Sequence, residues 1–216
     1  MATKTYSGDA IDIAYDSNLC IHSRNCALNL PGVFDPARRP WIDANAARAE
    51  DIAATIRRCP SGALTYIRKD GGPDETPPGV NRIRTVENGP YAVAGSVVVD
   101  GRELTRATLC RCGASANKPH CDFYHVTCRF QATGEPRPDV EVTDDPVPVG
   151  GTLAIRSLEN GPYEVTGDAE IVTGMGQRVA VIDRAKLCRC GHSSNKPFCD
   201  GTHAQIGFEA PGGTQD

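Results

Sequence analysis

The sequence predicts an α+β chain of three small parts: a mixed N-terminal domain followed by two β-rich units that repeat one another. Two observations predict the repeat. Residues 83–91 read IRTVENGPY and residues 155–163 read IRSLENGPY. Further along, residues 110–125 read CRCGASANKPHCDFYH and residues 188–203 read CRCGHSSNKPFCDGTH, both with the spacing C-x-C-x8-C-x3-H. A third observation sets the N-terminal part apart, because residues 1–68 hold a separate group of cysteines, Cys20, Cys26 and Cys59.

Taken in order, Ile11, Ile13 and Tyr15 alternate as a strand does. Residues 47–58 suit a helix with Ile52 and Ile56 on one face, and Leu64 to Ile67 reads as a return strand. Residues 69–79, KDGGPDETPPG, are a linker rich in proline, glycine and charge. The first repeat unit spans 80–133; its strands break at Asn88-Gly89-Pro90, and Val93, Val97 and Val99 follow at even spacing. A second linker, 134–150, holds four prolines, with Val140 and Val142 allowing a short strand. The second unit, 151–210, turns at Asn160-Gly161-Pro162 and places Val165, Ala169 and Ile171 at the matching positions. The offset is 72 residues here and 78 at the cysteines, so the second unit carries six extra residues between. Each unit therefore reads as short strands, a turn, more strand, a cysteine loop and a brief helix. Residues 211–216 form a tail expected to be disordered.

Composition narrows the class. The 216 residues carry a formal charge of -4 and include 22 glycines and 16 prolines, which means many loops and small cores. Metal clusters would supply stability that a larger core otherwise provides. The start, MATKTYSGDAIDIAYDSN, shows no basic region followed by an apolar stretch, and no segment approaches the ~18 apolar residues of a membrane span. A reducing cytoplasm with no membrane contact is the expectation. The acidic balance and the lack of a basic, aromatic-laced patch argue against nucleic acid. No nucleophile–base constellation, phosphate loop or open catalytic metal site is evident, so the chain is not expected to be an enzyme.

The repeated motif points to metal. Cys110 and Cys112, like Cys188 and Cys190, are one residue apart and can hold one iron from a single segment. Cys121 and His125, like Cys199 and His203, are four apart and share a face if a helix begins there, so they can hold a second iron. Two donors on each of two irons describe a [2Fe-2S] cluster with Cys3His ligation. Asp200 is placed to cap that helix. Structural zinc also uses Cys3His, but zinc modules usually space their paired cysteines two to four residues apart. Cys128 is left over; it aligns with Ile206 and reads as a small buried apolar residue. His120 and His192 align with Phe198 and Ala114, outside the shared set. Arg111, Arg189, Lys118 and Lys196 recur in both units, either balancing cluster charge, guiding partners or forming solvated surface.

The motif resembles the CDGSH iron–sulfur (mitoNEET-like) family, with its pattern C-x-C-x2-[ST]-x3-P-x-C-D-G-[STA]-H. The second copy matches throughout: Cys188, Cys190, Ser193, Pro197, Cys199, Asp200, Gly201, Thr202 and His203. The first matches at Cys110, Cys112, Ser115, Pro119, Cys121, Asp122 and His125, and departs at Phe123 and Tyr124, where the family has glycine and a small residue. The four ligands are retained, and the departure bears on that cluster's surroundings, potential and solvent access. The resemblance implies a [2Fe-2S] cluster whose histidine-bound iron is the more exposed. Because family members pair two motifs across a homodimer, two motifs in one chain imply an internal pseudo-dimer.

In the N-terminal part, CIHSRNCALNLPGVFD and CPSGALTY resemble divergent single-cluster ferredoxins. Cys20 and Cys26 take the first and third places of the C-x2-C-x2-C run, Ser23 stands at the second, and Cys59-Pro60 supplies the remote ligand. Three thiolates fit a [3Fe-4S] cluster, while a [4Fe-4S] cluster would need a fourth ligand from His22, Ser23 or solvent. The resulting expectation is a ferredoxin-like domain followed by two CDGSH units. Its function is electron transfer through two [2Fe-2S] clusters and one [3Fe-4S] or [4Fe-4S] cluster. Cluster delivery or redox and iron sensing is the alternative, and a zinc-stabilised module the third reading. The partner would be a redox protein or an apo-protein acceptor, and the chain a monomer with an internal pseudo-dimer or a homo-oligomer.

Overall fold

Alternating apolar residues in the first 68 positions build a small antiparallel sheet in the computed structural model, which describes residues 3–135 and 150–213. Strand β1 (Lys4–Ser7), β2 (Ile11–Tyr15) and β3 (Leu64–Arg68) pair in that order. Ile11 and Ile13 are fully buried on one face of β2. Helix α1 (Asn25–Asn29) and helix α2 (Ala49–Arg57) complete the domain. Ile52, Ala53 and Ile56 form the buried face of α2. Glu50 and Asp51 in its first turn and Arg57 in its last complement the helix dipole. Both the strand of Ile11 and the helix of Ile52 stand where the periodicity puts them. Strand β1 and helix α1 are additions that the sequence pattern did not mark. This unit runs from Met1 to Thr76 and the second from Pro77 to Asp216.

The second unit joins both repeats in one six-stranded sheet. Its strands are β4 (Arg82–Thr85), β5 (Tyr91–Val99), β6 (Arg102–Leu109), β7 (Leu153–Ser157), β8 (Tyr163–Val172) and β9 (Arg178–Leu187). One edge of β5 pairs with β6 along its length, and the other pairs first with β4 and then, in parallel, with β7. The second repeat does the same with exchanged partners: β8 pairs with β9 on one edge, and with β7 and then β4 on the other. The registers correspond, since Ile83 faces Ile171 and Val99 faces Ile155. Both long strands shift register at matching places, between Ala94 and Val97 and between Thr166 and Ala169, where the edge partner changes.

This exchange leaves neither repeat with a core of its own. Ile83, Tyr91, Val93, Val97 and Val99 from the first pack with Ile155, Tyr163, Val165, Ala169 and Ile171 from the second in one buried cluster. Each fully buried Val, Leu or Ile contributes about 1.5–3 kcal/mol, so the two halves stabilise each other. The cysteine loops leave β6 and β9 and end in two single-turn helices, α3 (Tyr124–Thr127) and α4 (Thr202–Gln205). Most of the expected 134–150 linker, including Val140 and Val142, lies outside the described residues. The expected tail is corrected in part: residues 211–213 are held, with Arg189 donating to the Pro211 carbonyl and the Gly213 N–H to the Ser157 carbonyl, each at 2.8 Å.

Candidate metal centres

Each cysteine loop gathers its donors in two pairs. Cys110 Sγ lies 3.8 Å from Cys112 Sγ, and Cys188 Sγ lies 3.9 Å from Cys190 Sγ. Cys121 Sγ lies 3.4 Å from His125 Nδ1, and Cys199 Sγ lies 3.3 Å from His203 Nδ1. A tetrahedral ion with sulfur at about 2.3 Å and nitrogen at about 2.0–2.1 Å sets these spacings near 3.8 Å and 3.6 Å. Among the described residues no three His, Cys, Asp or Glu side chains converge on a single ion position. The arrangement is pairwise, as a two-metal cluster needs.

The loop is knitted by the residues that the pattern singles out. Ser115 Oγ donates to the His120 carbonyl and Ser193 Oγ to the Phe198 carbonyl, each at 2.7 Å. Asp122 accepts from the N–H groups of Ala116 and Tyr124, and Asp200 from those of Ser194 and Thr202. Asp200 does not cap α4 as expected. Gly201 is the N-cap residue, and Asp200, one position earlier, closes a turn onto Thr202 instead. The Thr202 hydroxyl, together with these N–H groups and the Ser194 hydroxyl, holds the Asp200 carboxyl well below the usual carboxylate range. The carbonyls of Pro119 and Pro197 accept the N–H of Cys110 and Cys188, and both prolines follow cis peptide bonds.

Each loop is completed from the other repeat. Tyr163 Oη donates to the carbonyls of Cys110 and Pro119 at 2.9 Å, and Tyr91 Oη to those of Cys188 and Pro197 at 3.0 Å. The two rings meet edge to face with centroids 6.4 Å apart. Burial pushes both phenols up, so they remain donors. Gly113 and Gly191 let the loops touch: a Cβ on Gly113 would stand 2.5 Å from the Cys190 carbonyl oxygen, and one on Gly191 2.7 Å from that of Cys112. Both also hold left-handed backbone, with φ of 78° and 85°.

Arg111 and Arg189 are not solvated surface, for each is only 1% exposed. Arg111 donates to the carbonyls of Val86, Ala132 and Thr133, and Arg189 to those of Leu158 and Pro211. Nε of each is buried with no partner. Burial lowers the Arg111 pKa. A buried guanidinium bonded to carbonyls is costly unless an anion lies near, and the neighbouring thiolates fit that need. Lys118 and Lys196 also turn inward, donating to the carbonyls of Ser115 and Ser193.

The thiols show how the first loop is charged. A hydrogen bond from Cys112 draws Cys110 down to about 6 and pushes Cys112 itself up. The pair thus favours one thiolate stabilised by the neighbouring thiol, and the thiolate is the form that binds metal. Burial pushes Cys121 up to about 11 and raises Cys190. Burial likewise lowers His125, favouring the neutral imidazole a ligand must be. The Phe123 N–H reaches Cys121 Sγ at 3.4 Å, and the Gly201 N–H reaches Cys199 Sγ at 3.5 Å. Cys128 departs from expectation: it is exposed, as is its counterpart Ile206, because both end a single-turn helix on its outer side. His192 Nδ1 lies 2.8 Å from the Cys190 carbonyl, away from ligand duty.

In the N-terminal unit Cys20, Cys26 and Cys59 line one pocket of ≈ 440 Å³, together with His22 and Ser23. Cys26 is carried by α1, and Cys59 follows the end of α2. His22 Nδ1 lies 4.0 Å from Cys20 Sγ. Burial raises Cys26, with Cys59 and Cys20 adding to the shift, so the three sulfurs feel one another. Tyr15 and Trp41, packed edge to face at 4.9 Å, form an aromatic wall, and Lys4, Arg24 and Arg39 add positive charge. The sequence pattern marked the cysteines but not this wall, because Tyr15 and Trp41 are far apart along the chain.

Comparison with known proteins agrees with this layout. The family model described as "Divergent 4Fe-4S mono-cluster" matches residues 6–69, and that described as "Iron-binding zinc finger CDGSH type" matches residues 88–126 and 160–204. The matched spans contain all three cysteines of the pocket and both Cys3His sets. "Uncharacterized protein YjdI" of Escherichia coli (strain K12) is 35% identical over 66 residues, 31% of this chain and 87% of that protein. The same protein of Escherichia coli O157:H7 matches to the same extent. Among the described residues no helix is long and apolar enough to cross a membrane. The chain belongs to the divergent 4Fe-4S mono-cluster family, extended by two tandem segments of the CDGSH iron-binding family.

Proposed function

We propose that this chain is a three-cluster electron carrier and not an enzyme. Cys110, Cys112, Cys121 and His125 would hold one [2Fe-2S] cluster, and Cys188, Cys190, Cys199 and His203 a second. Cys20, Cys26 and Cys59 would hold a [3Fe-4S] cluster, or a [4Fe-4S] cluster with His22, Ser23 or solvent as fourth ligand. The observation that carries this reading is the pairing of donors in both loops, at 3.8 and 3.9 Å between sulfurs and 3.4 and 3.3 Å between sulfur and Nδ1. Three cysteines spread around one pocket support a cluster in which each sulfur meets a different iron. The exchanged strands and shared core support an internal pseudo-dimer, and the N-terminal domain is read as ferredoxin-like. Ten free cysteines suit a reducing cytoplasm.

Such clusters supply reversible one-electron chemistry. The chain sets its level. A neutral imidazole in place of one thiolate removes negative charge, and buried Arg111 and Arg189 add positive charge, so both raise the potential. Two-histidine clusters lie at about −150 to +300 mV and all-cysteine plant types near about −400 mV, which brackets the expected value. Nδ1 faces the Cys121 or Cys199 sulfur, where a cluster iron would be held, so Nε2 would be the nitrogen that gives or takes a proton. If it takes one on reduction, the potential falls as pH rises, by up to about 59 mV per unit for one electron. A potential flat from pH 6 to 9 would count against this coupling.

Anaerobic purification with iron, sulfide and absorption analysis tests the reading. A red-brown chain with about seven irons, or about eight with a cubane in the pocket, is expected. A colourless, zinc-loaded chain after reconstitution would overturn it. The half-exposed His125 and His203 favour a second reading, cluster delivery to an apo-protein. Transfer of iron and sulfide to apo-ferredoxin would favour delivery, and fast reduction by a reductase without transfer the electron carrier.

A further inference from the structure

The two loops share one construction, and the difference that bears on the histidine lies in the residues flanking it. Position 123 and its counterpart 201 both take the left-handed backbone, φ 73° at Phe123 and 86° at Gly201. Glycine adopts this freely, whereas a bulky L-residue there is an outlier. Strain retained at a ligand loop points to a use for the side chain. The Phe123 ring packs edge-on against the His125 imidazole, with centroids 5.2 Å apart and planes at 72°. Beside it stand Tyr124 and Val126, both exposed, where the second loop has Thr202 and Ala204. A Cβ at Gly201 would meet nothing within 4 Å, so His203 has open space on the side where His125 has a ring.

We infer that Phe123 is a retaining lid on His125, making the first centre the one that keeps its cluster and the second the one that gives it up. This rests on the cluster reading above and divides its two roles between the loops: a fixed relay at Cys110, Cys112, Cys121 and His125, and an exchangeable store at Cys188, Cys190, Cys199 and His203. Release involves no change of oxidation state. Cys188, Cys190, Cys199 and His203 each give up one bond to the cargo and take one proton from the four thiols of an acceptor, which form the four replacement bonds. An edge-on aromatic contact slows the first step of such an exchange by displacing water and holding the imidazole in place, by about fivefold to tenfold.

The experiment follows transfer from the full-length, cluster-loaded chain to a four-cysteine apo-ferredoxin at neutral pH. Samples frozen at intervals are reduced and read by nitrogen hyperfine coupling on the [2Fe-2S] signal, which counts the histidine-ligated two-iron centres apart from the N-terminal cluster. Two phases of equal amplitude are expected, separated by about fivefold to tenfold. Phe123→Gly with Tyr124→Thr, which relieves backbone strain and so endangers no fold, should merge the slow phase with the fast one. Phe123→Tyr should keep the slow phase, a rescue that mere filling of space by a flexible chain would not give. One phase in the parent chain, or a slow phase untouched by the double substitution, overturns the inference alone. No nitrogen-coupled centre at all overturns the cluster reading together with it.

Discussion

Tyr163 enters the first cysteine loop from the second repeat, and Tyr91 enters the second loop from the first, with the same two carbonyls as partners each time. Gly113 and Gly191, Arg111 and Arg189, and the Ser115 and Ser193 hydroxyls are duplicated in the same way. Around the histidines the likeness stops: Phe123, Tyr124 and Val126 in one loop face Gly201, Thr202 and Ala204 in the other. The comparison separates two demands on one motif. Holding four donors in place tolerates little change, so both copies keep it. Controlling what reaches the histidine is free to vary, so the copies differ there.

The largest effect should come from filling the contact between the loops. Gly113→Ala and Gly191→Ala each force a Cβ to within 2.7 Å of the opposite loop's backbone and add a side chain at left-handed φ. Each should destabilise the second unit by about 2–4 kcal/mol, or about 4–16 °C in Tm. Metal should fall at both motifs, whichever glycine is changed. Loss confined to one motif would show that the loops act independently. Next in size are Tyr91→Phe and Tyr163→Phe, worth about 1–3 kcal/mol for the loss of the phenol's bonds to the Cys188 or Cys110 carbonyl and to the proline carbonyl, which keeps its cysteine N–H. Hydrogen exchange should show the crossing: Tyr91→Phe loosens residues 188–199 and Tyr163→Phe residues 110–121.

Much of this site was legible in the chain because ligand spacing is local. Cys110, Cys112, Cys121 and His125 lie within one short stretch, and their repetition at 188–203 removes coincidence. The strands carrying Val93, Val97 and Val99 were legible from alternation, and β7 and β8 from the repeat. The exchange of β4 and β7 between repeats was not, because a parallel pairing such as Ile83 with Ile171 leaves no short-range signal. Nor was the burial of Arg111 and Arg189. An arginine between two cysteines reads as surface until rings fold over it: Tyr91 and Phe130 over Arg111, each with its centroid 5.7 Å from the guanidinium, and Tyr163 over Arg189 at 5.5 Å. Cys128 was misread for a related reason: alignment with Ile206 suggested an apolar interior position, yet single-turn helices at a surface bury little.

Replacing the buried arginines sharpens the comparison electrostatically. Arg111→Met removes a guanidinium that lies over Tyr91 and feels Cys188 of the second loop, and Arg189→Met one that lies over Tyr163, the phenol bonded to the first loop. Each should lower the potential of the centre it faces, the second for Arg111 and the first for Arg189, by about 60 mV, a tenfold change for a one-electron couple, with the other centre shifting less. Redox titration of the two variants side by side assigns each potential to its loop. Equal shifts at both centres would mean that each charge reaches the two loops alike.

The smallest effect should follow Cys128→Ser. The thiol is exposed, donates only to the His125 carbonyl at 3.7 Å, and has Ile206 in the second loop at its place. A surface substitution of this kind changes stability within about 0.5 kcal/mol, and iron content should stay at the parent value. The result matters because Cys128 lies three residues from His125, close enough along α3 to be suspected as a reserve ligand. Unchanged iron and an unchanged nitrogen coupling leave His125 as the sole closing ligand and keep the difference between the loops where Phe123 puts it. A loss of iron at the first motif alone would move that difference to sulfur and give the first loop a fifth donor that the second cannot match.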